Sequence, residues 1–301
     1  MTTLSSLNQQ FGIDDRLVFV AGPGDLPVAR VRNDFAIAEI ALLGAHVLSY
    51  QPHDTEPVLW VSSQSNFAVG KPIRGGIPVC WPWFAGHPTD SNKPAHGFVR
   101  TALWTVLDTR TTRDDRTEIE LGFESNEDTL SLWPHPFALR LRVTVGPALT
   151  VTLFTCNTGD EPFNFTGALH TYFHVGDAAQ IAIHGLDGVD YLDKVDGMAR
   201  KTQQGPVEIT GFTDRVYLDT DGECIIEDPV LKRKVHIEKA GSATTVVWNP
   251  WRVAAPRLPD FADDEYPSMV CVETAKAADD VETIAPAEEH HLTAHIWVDG
   301  Q

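Results

Sequence analysis

The chain has 301 residues, of which 43% are hydrophobic, and its formal net charge is −19. This length and apolar content suffice for a large buried core, and a field of that sign repels phosphate backbones and anionic lipid. We therefore expect neither a nucleic-acid partner nor a membrane partner. No stretch approaches ~20 apolar residues and the N-terminus lacks a secretory pattern, which favours a cytoplasmic protein.

The four cysteines are scattered and show no CxxC spacing: Cys80, Cys156, Cys224 and Cys271. This pattern is neither a disulfide framework nor a zinc site. It predicts small hydrophobic residues within the strands of a reduced protein.

Short strands are the dominant element predicted along the chain. Taken in order, they are expected at residues 36–43, 46–50, 118–123, 137–145, 149–153, 180–183, 224–227, 235–238, 244–248, 269–273 and 292–298. Helix signals are rare, and the best one is the capping-box start Ser125-Asn-Glu-Asp128, with Pro134 ending a short helix after Trp133.

The clearest strand shows strict alternation over residues 137–145. Its odd positions are apolar and its even positions include Arg140 and Arg142, as expected for one buried and one wet face. The turn Gly146-Pro147 joins it to another alternating run, which predicts an antiparallel hairpin. Strands without interposed helices favour an all-β fold, a large antiparallel sandwich. With no long linker or repeat, we expect one domain over residues 1–301.

The densest unusual segment is KPIRGGIPVCWPWF, residues 71–84. It is rich in glycine, proline and tryptophan and is basic at one end, which fits either a packed corner of the sandwich or the wall of a ligand cleft. In the second case aromatic faces suit a sugar and Arg74 can bind an anion in a fork.

A second segment, PAHGFVR, carries His96 and Arg100 an even number of residues apart, so on a strand both would leave the same face. Arg74 and Arg100, with Lys71 or Lys93, could form a local basic patch for a phosphate group. Alternatively, both arginines pair with some of the 42 carboxylates.

Two further segments offer titratable groups. His170 and His174 share a face in GALHTYFH, but HExxH is absent and no third ligand is spaced nearby, so we expect no metal. Glu273 interrupts an apolar strand and needs either a buried cationic partner or a role at a cleft floor. His170 and Glu273 are the leading acid–base candidates. Asp214 is either a polar ligand or a turn residue paired with Arg215.

Five segments together resemble one family. IRGGIPVCWPWF, PAHGFVR, ALHTYFHVGD, TDRVYL and VCVETA occur here in that order. They are similar to the hexose-6-phosphate mutarotases (glucose-6-phosphate 1-epimerases) of the aldose 1-epimerase superfamily, over roughly residues 30–298. The resemblance implies a large antiparallel β-supersandwich of the galactose mutarotase type and an isomerase that interconverts the α and β anomers of a hexose 6-phosphate.

The resemblance also implies the role of each site residue. His170 would be the general acid toward the ring oxygen, and Glu273 the general base toward the anomeric hydroxyl. His96 would assist at the ring oxygen and Asp214 would bind sugar hydroxyls. The arginines of IRGG and HGFVR, residues 74 and 100, would hold the phosphate.

The reaction so implied needs no cofactor and no metal, and we expect a monomer whose partner is a small sugar phosphate. His174 stands where many relatives have Asn and would add a titratable group near the site. Rival functions are an aldose 1-epimerase for unphosphorylated sugars, a non-catalytic carbohydrate-binding module on the same sandwich and a metal-dependent cupin-like enzyme.

Overall fold

A computed structural model describes residues 3–300 of the chain, and strands dominate it. The strands are β1 (Leu17–Ala21), β2 (Pro27–Arg32), β3 (Ala36–Ala41), β4 (His46–Pro52), β5 (Val79–Cys80), β6 (Thr105–Thr111), β7 (Thr117–Glu124), β8 (Phe137–Val145), β9 (Leu149–Asn157), β10 (Phe163–Phe165), β11 (Gly167–Leu169), β12 (Tyr172–His174), β13 (Ala182–His184), β14 (Asp190–Asp193), β15 (Ala199–Thr202), β16 (Val207–Glu208), β17 (Thr213–Tyr217), β18 (Cys224–Asp228), β19 (Arg233–Ala240), β20 (Thr244–Asn249), β21 (Met269–Lys276), β22 (Glu282–Ile284) and β23 (Glu289–Gly300). The predicted all-β class is confirmed.

The helices are short. They are the α-helices α1 (Leu4–Phe11), α2 (Glu127–Leu132) and α3 (Trp251–Ala254), and 3-10 turns at Pro23–Asp25, Val99–Thr101, Lys194–Asp196, Ala255–Arg257 and Tyr266–Ser268. The predicted helix is α2, but its N-cap is Asn126, which forms a capping box with Thr129, one residue later than expected. No described helix has the length and apolar character to cross a membrane.

The strands form two large sheets and two small ones. The nine-stranded sheet has the order β16-β13-β18-β19-β23-β9-β8-β7-β6, and the eight-stranded sheet has the order β15-β14-β17-β20-β21-β11-β5 with β12 also on β21. A four-stranded sheet, β1 to β4, and the pair β10-β22 complete the set. Neighbouring strands pair antiparallel throughout the described ladders, as predicted for a sandwich.

Alternation in the sequence builds the nine-stranded sheet as predicted. Every odd position of β8 is buried and every even position is partly exposed, and β9 repeats this pattern in the expected hairpin. The buried face enters the main hydrophobic core. Among the other predicted strands, the run at 180–183 begins late, because Gln180 lies in a turn and the strand is Ala182–His184.

The eight-stranded sheet differs because both faces of its central strand β21 are covered. In β21 all eight residues are buried. Val270 and Val272 join the main core, whereas Cys271 and Ala275 belong to two separate apolar clusters on the opposite face. Glu273 lies between Cys271 and Ala275 on that same face. The sheet therefore presents a carboxyl group between two apolar patches.

Candidate active site

Glu273 is the centre of the site, and its side chain is only 1% exposed. The sheet register places it opposite Val246 of β20, so its neighbours along and across the sheet are apolar. A carboxyl group in such a place has lost its water and requires a specific partner.

An interruption in the sheet supplies that partner. β11 ends at Leu169 and β12 begins at Tyr172, and both strands pair with β21, so His170 lies in the gap between them. The His170 backbone N–H donates to the Pro78 carbonyl at 3.0 Å. Its ring stacks on the Tyr172 ring with centroids 4.8 Å apart. These contacts bring Nε2 of His170 to 3.5 Å from Oε1 of Glu273.

Burial shifts the two groups in opposite directions. It raises the pKa of Glu273 well above its ordinary value, and the charge of Asp214 adds to this effect. It lowers the pKa of His170 well below its ordinary value, with further lowering by His96 and Arg74. Because the groups are in contact, they titrate as a pair that holds one proton between its two macroscopic pKa values. Such a pair can take a proton from one atom and give one to another.

His96 lies beside His170, but not on a strand as its segment suggested. The two rings are edge to face with centroids 5.5 Å apart. His96 has a left-handed φ of 64°, and Gly97 follows with 71°. A Cβ on Gly97 would lie 1.8 Å from the Trp81 carbonyl oxygen, so only glycine allows this approach. The expectation of a shared strand face with Arg100 is therefore wrong, and a tight turn positions His96 instead.

The His96 ring is held by backbone hydrogen bonds to one residue. The backbone N–H of His96 donates to the Ala85 carbonyl at 2.6 Å, and the Ala85 N–H donates to Nδ1 of the His96 ring at 3.3 Å. An imidazole nitrogen that accepts a hydrogen bond carries no proton, so the proton of the neutral ring is on Nε2. Burial, with the charge of Arg100 next in size, lowers the pKa of His96 well below its ordinary value, which favours this neutral form.

Arg74 is already engaged within the protein. Its Nε and one terminal nitrogen donate to Oδ1 of Asp260, at 3.2 and 3.1 Å. Its other terminal nitrogen donates to the Tyr172 hydroxyl at 3.1 Å. Burial opposes the charge, but Tyr172 and Asp260 outweigh it and raise the pKa of Arg74. Arg74 thus braces the ring that stacks on His170, and the alternative of a carboxylate partner holds for this arginine.

Arg100 has more unpaired N–H donors than Arg74 among the described residues. One terminal nitrogen donates to the Ala95 carbonyl at 2.9 Å, and its buried Nε has no hydrogen-bond partner within residues 3–300. Arg100 lowers the pKa of both His96 and His170, so its charge reaches the same two rings as that of Arg74. Of the two lysines considered, Lys93 contacts His87 and the Trp83 ring, while Lys71 is exposed.

Asp214 has a partner that the sequence did not indicate. Its Oδ2 is 2.8 Å from Nζ of Lys194, which comes from the 3-10 turn after β14. The alternative of an Arg215 pair is wrong, because that guanidinium stands over the Tyr191 ring, 4.9 Å from its centroid. Burial raises the pKa of Asp214, and Lys194 opposes the shift. The charge of Lys194 also acts to lower the pKa of Glu273 and the pKa of His96, so Lys194 is part of the site.

His174 lies outside the site, contrary to expectation. Its Nδ1 is 3.2 Å from the Ser268 carbonyl. Burial and the charge of Arg233 lower its pKa, with smaller opposing effects from Glu56 and Asp228. β11 and β12 follow β21 in one register, which places His174 opposite Met269, four residues along the chain from His170 and beyond the Glu273 position.

A cavity of about 410 Å³, within the size range of small-molecule pockets, lies on the Lys194 side of the site, and neither His170 nor Glu273 is among the described residues that line it. Phe84, Lys194 and Val216 contribute to its walls. The Phe84 ring also packs edge to face on His96, with centroids 5.0 Å apart, so one aromatic side chain contacts both the cavity and the site.

A buried carboxyl–imidazole contact on the second face of a large antiparallel sheet fits an enzyme built on a β-sandwich. Comparisons with known proteins identify the enzyme family. The family model for aldose 1-epimerase matches residues 27–297, and the chain belongs to this family of isomerases. The resemblance to it is thereby confirmed.

Relatives with similar sequences share most of their length with this chain. A protein of Escherichia coli K12, provisionally named glucose-6-phosphate 1-epimerase, is 38% identical over 264 residues, covering 87% of this chain and 86% of its own. A Cenchrus ciliaris protein with the same provisional name is 37% identical over 261 residues, covering 84% and 78%.

Solved structures agree on the fold. The crystal structure of YeaD from Salmonella typhimurium, provisionally named a mutarotase, has a TM-score of 0.90 at 32% identity and covers 97% of this chain and 96% of its own. A galactose mutarotase-like protein of Lactobacillus casei has a TM-score of 0.73 at 14% identity, with 90% and 100% covered, which supports the fold alone. The mutarotase type of sandwich is confirmed.

Proposed function

We propose that this chain interconverts the α and β anomers of a hexose 6-phosphate, with glucose 6-phosphate as the first substrate to test. The observation that carries the proposal is the 3.5 Å contact between Nε2 of His170 and Oε1 of Glu273 in a buried site. The provisional names of the relatives support the phosphorylated substrate.

Ring opening needs a base at the anomeric hydroxyl and an acid at the ring oxygen. In the reactive form Glu273 is a carboxylate that takes the hydroxyl proton, while protonated His170 gives its proton to the ring oxygen. The C1–O5 bond breaks, the aldehyde rotates about C1–C2, and both transfers reverse as the ring closes on the other face. Each group contributes ~10²–10⁴-fold.

Burial favours the uncharged form of the pair before substrate binds, so the reactive form arises when the shared proton moves from Glu273 to His170. Both arrangements contain one proton, so this transfer requires no exchange with solvent. The proton on Nε2 of His96 is available to the ring oxygen as a hydrogen-bond donor. Asp214, held by Lys194, binds sugar hydroxyls.

The phosphate is proposed to lie at Arg100 and Arg74. Arg100 is the stronger candidate because its buried Nε is unpartnered among the described residues. Arg74 has three of its five N–H groups engaged with Asp260 and Tyr172, which leaves two for an anion. A guanidinium fork binds phosphate with strong and directional hydrogen bonds.

The test is NMR exchange or polarimetry on pure anomers of glucose 6-phosphate and glucose, with and without protein. We expect Arg100→Ala to lower kcat/KM for the phosphorylated sugar far more than for glucose. Arg74→Ala should lower both, with the greater loss on the phosphorylated sugar, because Arg74 also braces Tyr172. Equal losses on both sugars in both variants would remove the arginines from the phosphate site.

A second candidate is an epimerase for unphosphorylated sugars. The ion pair between Arg74 and Asp260 favours this candidate. A terminal nitrogen of Arg74 lies 3.1 Å from Oδ1 of Asp260, so the charge of Arg74 is already balanced within the protein. In that case glucose and glucose 6-phosphate would give similar kcat/KM values. The monomeric state, the single domain and the cytoplasmic location stay predictions, the first of which size-exclusion chromatography with light scattering checks.

A further inference from the structure

A thiol lies beside the acid–base pair and has no part in the proposed reaction. The Sγ of Cys271, a ring nitrogen of His170 and a carboxylate oxygen of Glu273 all lie within 4.8 Å of one another. All three residues are buried, with exposures of 0%, 8% and 1%. Cys271 and Glu273 are two residues apart on β21, so the strand alternation points both side chains to the same face.

Buried donor atoms in this group have unused capacity. Within the described residues 3–300, Oε2 of Glu273 and Nδ1 of His170 are buried and have no hydrogen-bond partner. Unsatisfied buried polar atoms are rare in native structures and call for an explanation in each case. Here the two atoms belong to His170 and Glu273, which together with Cys271 are residue types that bind zinc.

The donor set matches the chemistry of a zinc site. Thiolate, imidazole and carboxylate are the usual Zn²⁺ ligands, and bond lengths of about 2.0–2.3 Å place tetrahedral ligands about 3.5 Å apart. The observed separations, at most 4.8 Å, exceed that spacing by about 1.3 Å or less. One thiolate and one carboxylate also balance the charge of the ion, so the bound site carries no net charge into the interior.

We propose that Cys271, His170 and Glu273 form a binding site for Zn²⁺, and that zinc bound there inhibits the enzyme. Binding releases the thiol proton and the proton shared by the pair to solvent, and the Zn–S, Zn–N and Zn–O bonds replace them. Zinc then occupies both the acid and the base. The site itself is independent of the proposed reaction, and only the inhibition rests on it.

The first experiment follows anomerisation by the full chain, treated with EDTA and then titrated with ZnCl2. Wild type should lose activity and recover it with EDTA. Cys271→Ala should keep its activity without zinc and require at least ~10-fold more zinc for inhibition, since loss of outer-shell partners alone costs ~10–100-fold in metal affinity. Cys80→Ala is the matched control, because Cys80 is equally buried on β5 but outside the group, and its zinc sensitivity should equal wild type.

The second experiment replaces zinc with CoCl2 and records the thiolate-to-cobalt absorption band, which requires no catalytic activity. Wild type and Cys80→Ala should show the band, whereas Cys271→Ala and Cys271→Ser should lack it; the serine variant serves if the alanine variant does not fold. Zinc inhibition unchanged in both Cys271 variants, or no thiolate band in wild type, would overturn the proposal. If wild type shows the band but does not interconvert anomers, the proposed function is wrong and the metal site is still supported.

Discussion

The nine-stranded and eight-stranded sheets use the same antiparallel geometry for different purposes. In the first, β8 keeps one face in the core and one partly in water, and its polar residues form half-buried ion pairs such as Arg142 with Glu120. In the second, β21 is buried on both faces, and its single carboxylate contacts His170. In the proposed function, the polar group that does the chemistry is therefore the one that the sheet shields from water. Variants of the two sheets can test this separation of roles.

The largest expected effect is that of Glu273→Gln. Removing the base should cost ~10²–10⁴-fold in kcat, measured by NMR exchange on glucose 6-phosphate. Glu120→Gln on β7 is the matched control and should keep wild-type kcat, because Glu120 pairs with Arg140 and Arg142, which lie on the wet face of β8 away from the site. If Glu273→Gln keeps wild-type kcat, the base lies elsewhere.

The same variant should be more stable than wild type at high pH. A carboxyl group whose folded pKa is raised contributes stability below its unfolded pKa, and this contribution is lost as the pH rises through the folded pKa. Glutamine has no proton to lose, so its Tm advantage should grow from pH 5 to pH 9. A lower Tm than wild type at pH 9 would contradict this assignment.

Next in size is Leu141→Ala in the nine-stranded sheet, where this side chain is fully buried. The cavity should cost about 2–5 kcal/mol in the free energy of unfolding, measured by urea denaturation. The kcat of the folded fraction should stay near that of wild type, since β8 contributes no site residue. A loss of kcat comparable to that of Glu273→Gln would show that the sheets do not separate stability from chemistry.

The pH dependence of kcat/KM should be bell-shaped. At low pH both groups of the pair are protonated and the base is lost, and at high pH both are deprotonated and the acid is lost. The pKa of His170 is lowered, so the midpoint of the low-pH limb should lie below pH 6.5. The pKa of Glu273 is raised, so the midpoint of the high-pH limb should lie well above pH 4.5. Each limb should fall about tenfold per pH unit. In His174→Asn the profile should be unchanged.

The smallest effect is expected for Arg142→Ala on the wet face of β8. Arg142 is 34% exposed, so water screens its pairs with Glu118 and Glu120 in part. The free energy of unfolding should fall by about 1 kcal/mol, and kcat should not change. A loss above about 2 kcal/mol would show that the ion pairs on this face of the sheet act as a cooperative network.

The sequence predicted the nine-stranded sheet well because one wet face leaves a visible alternation, as in the exact bounds of 137–145. It did not indicate α1, which is too short for a clear apolar period and is capped by Thr3 and Ser6 rather than by an acidic residue. Glu273 was identifiable as a site residue for the opposite reason, since a carboxylate in an apolar strand breaks the pattern.

The partners of the site residues could not be predicted, because they come from distant parts of the chain. Arg74 meets Asp260, which is 186 residues away, and Lys194 comes from a turn that no motif singles out. His174 was misplaced because four residues of extended chain carry a side chain on the same face about 13 Å along the strand, too far to reach the same site. Periodicity describes local geometry, whereas such contacts depend on how the sheets assemble.

The hydrogen bond from the Ala85 amide to His96 limits which molecules can compete for the site. It leaves His96 able to offer a hydrogen at Nε2 but not to receive one there while the ring is neutral. In a sugar analogue with a protonated ring nitrogen, the N–H of the analogue would face the Nε2–H of His96, and two donors cannot form a hydrogen bond. A ring oxygen or sulfur has no hydrogen and avoids this conflict. Iminosugars should therefore be poor inhibitors of this protein compared with their oxygen counterparts.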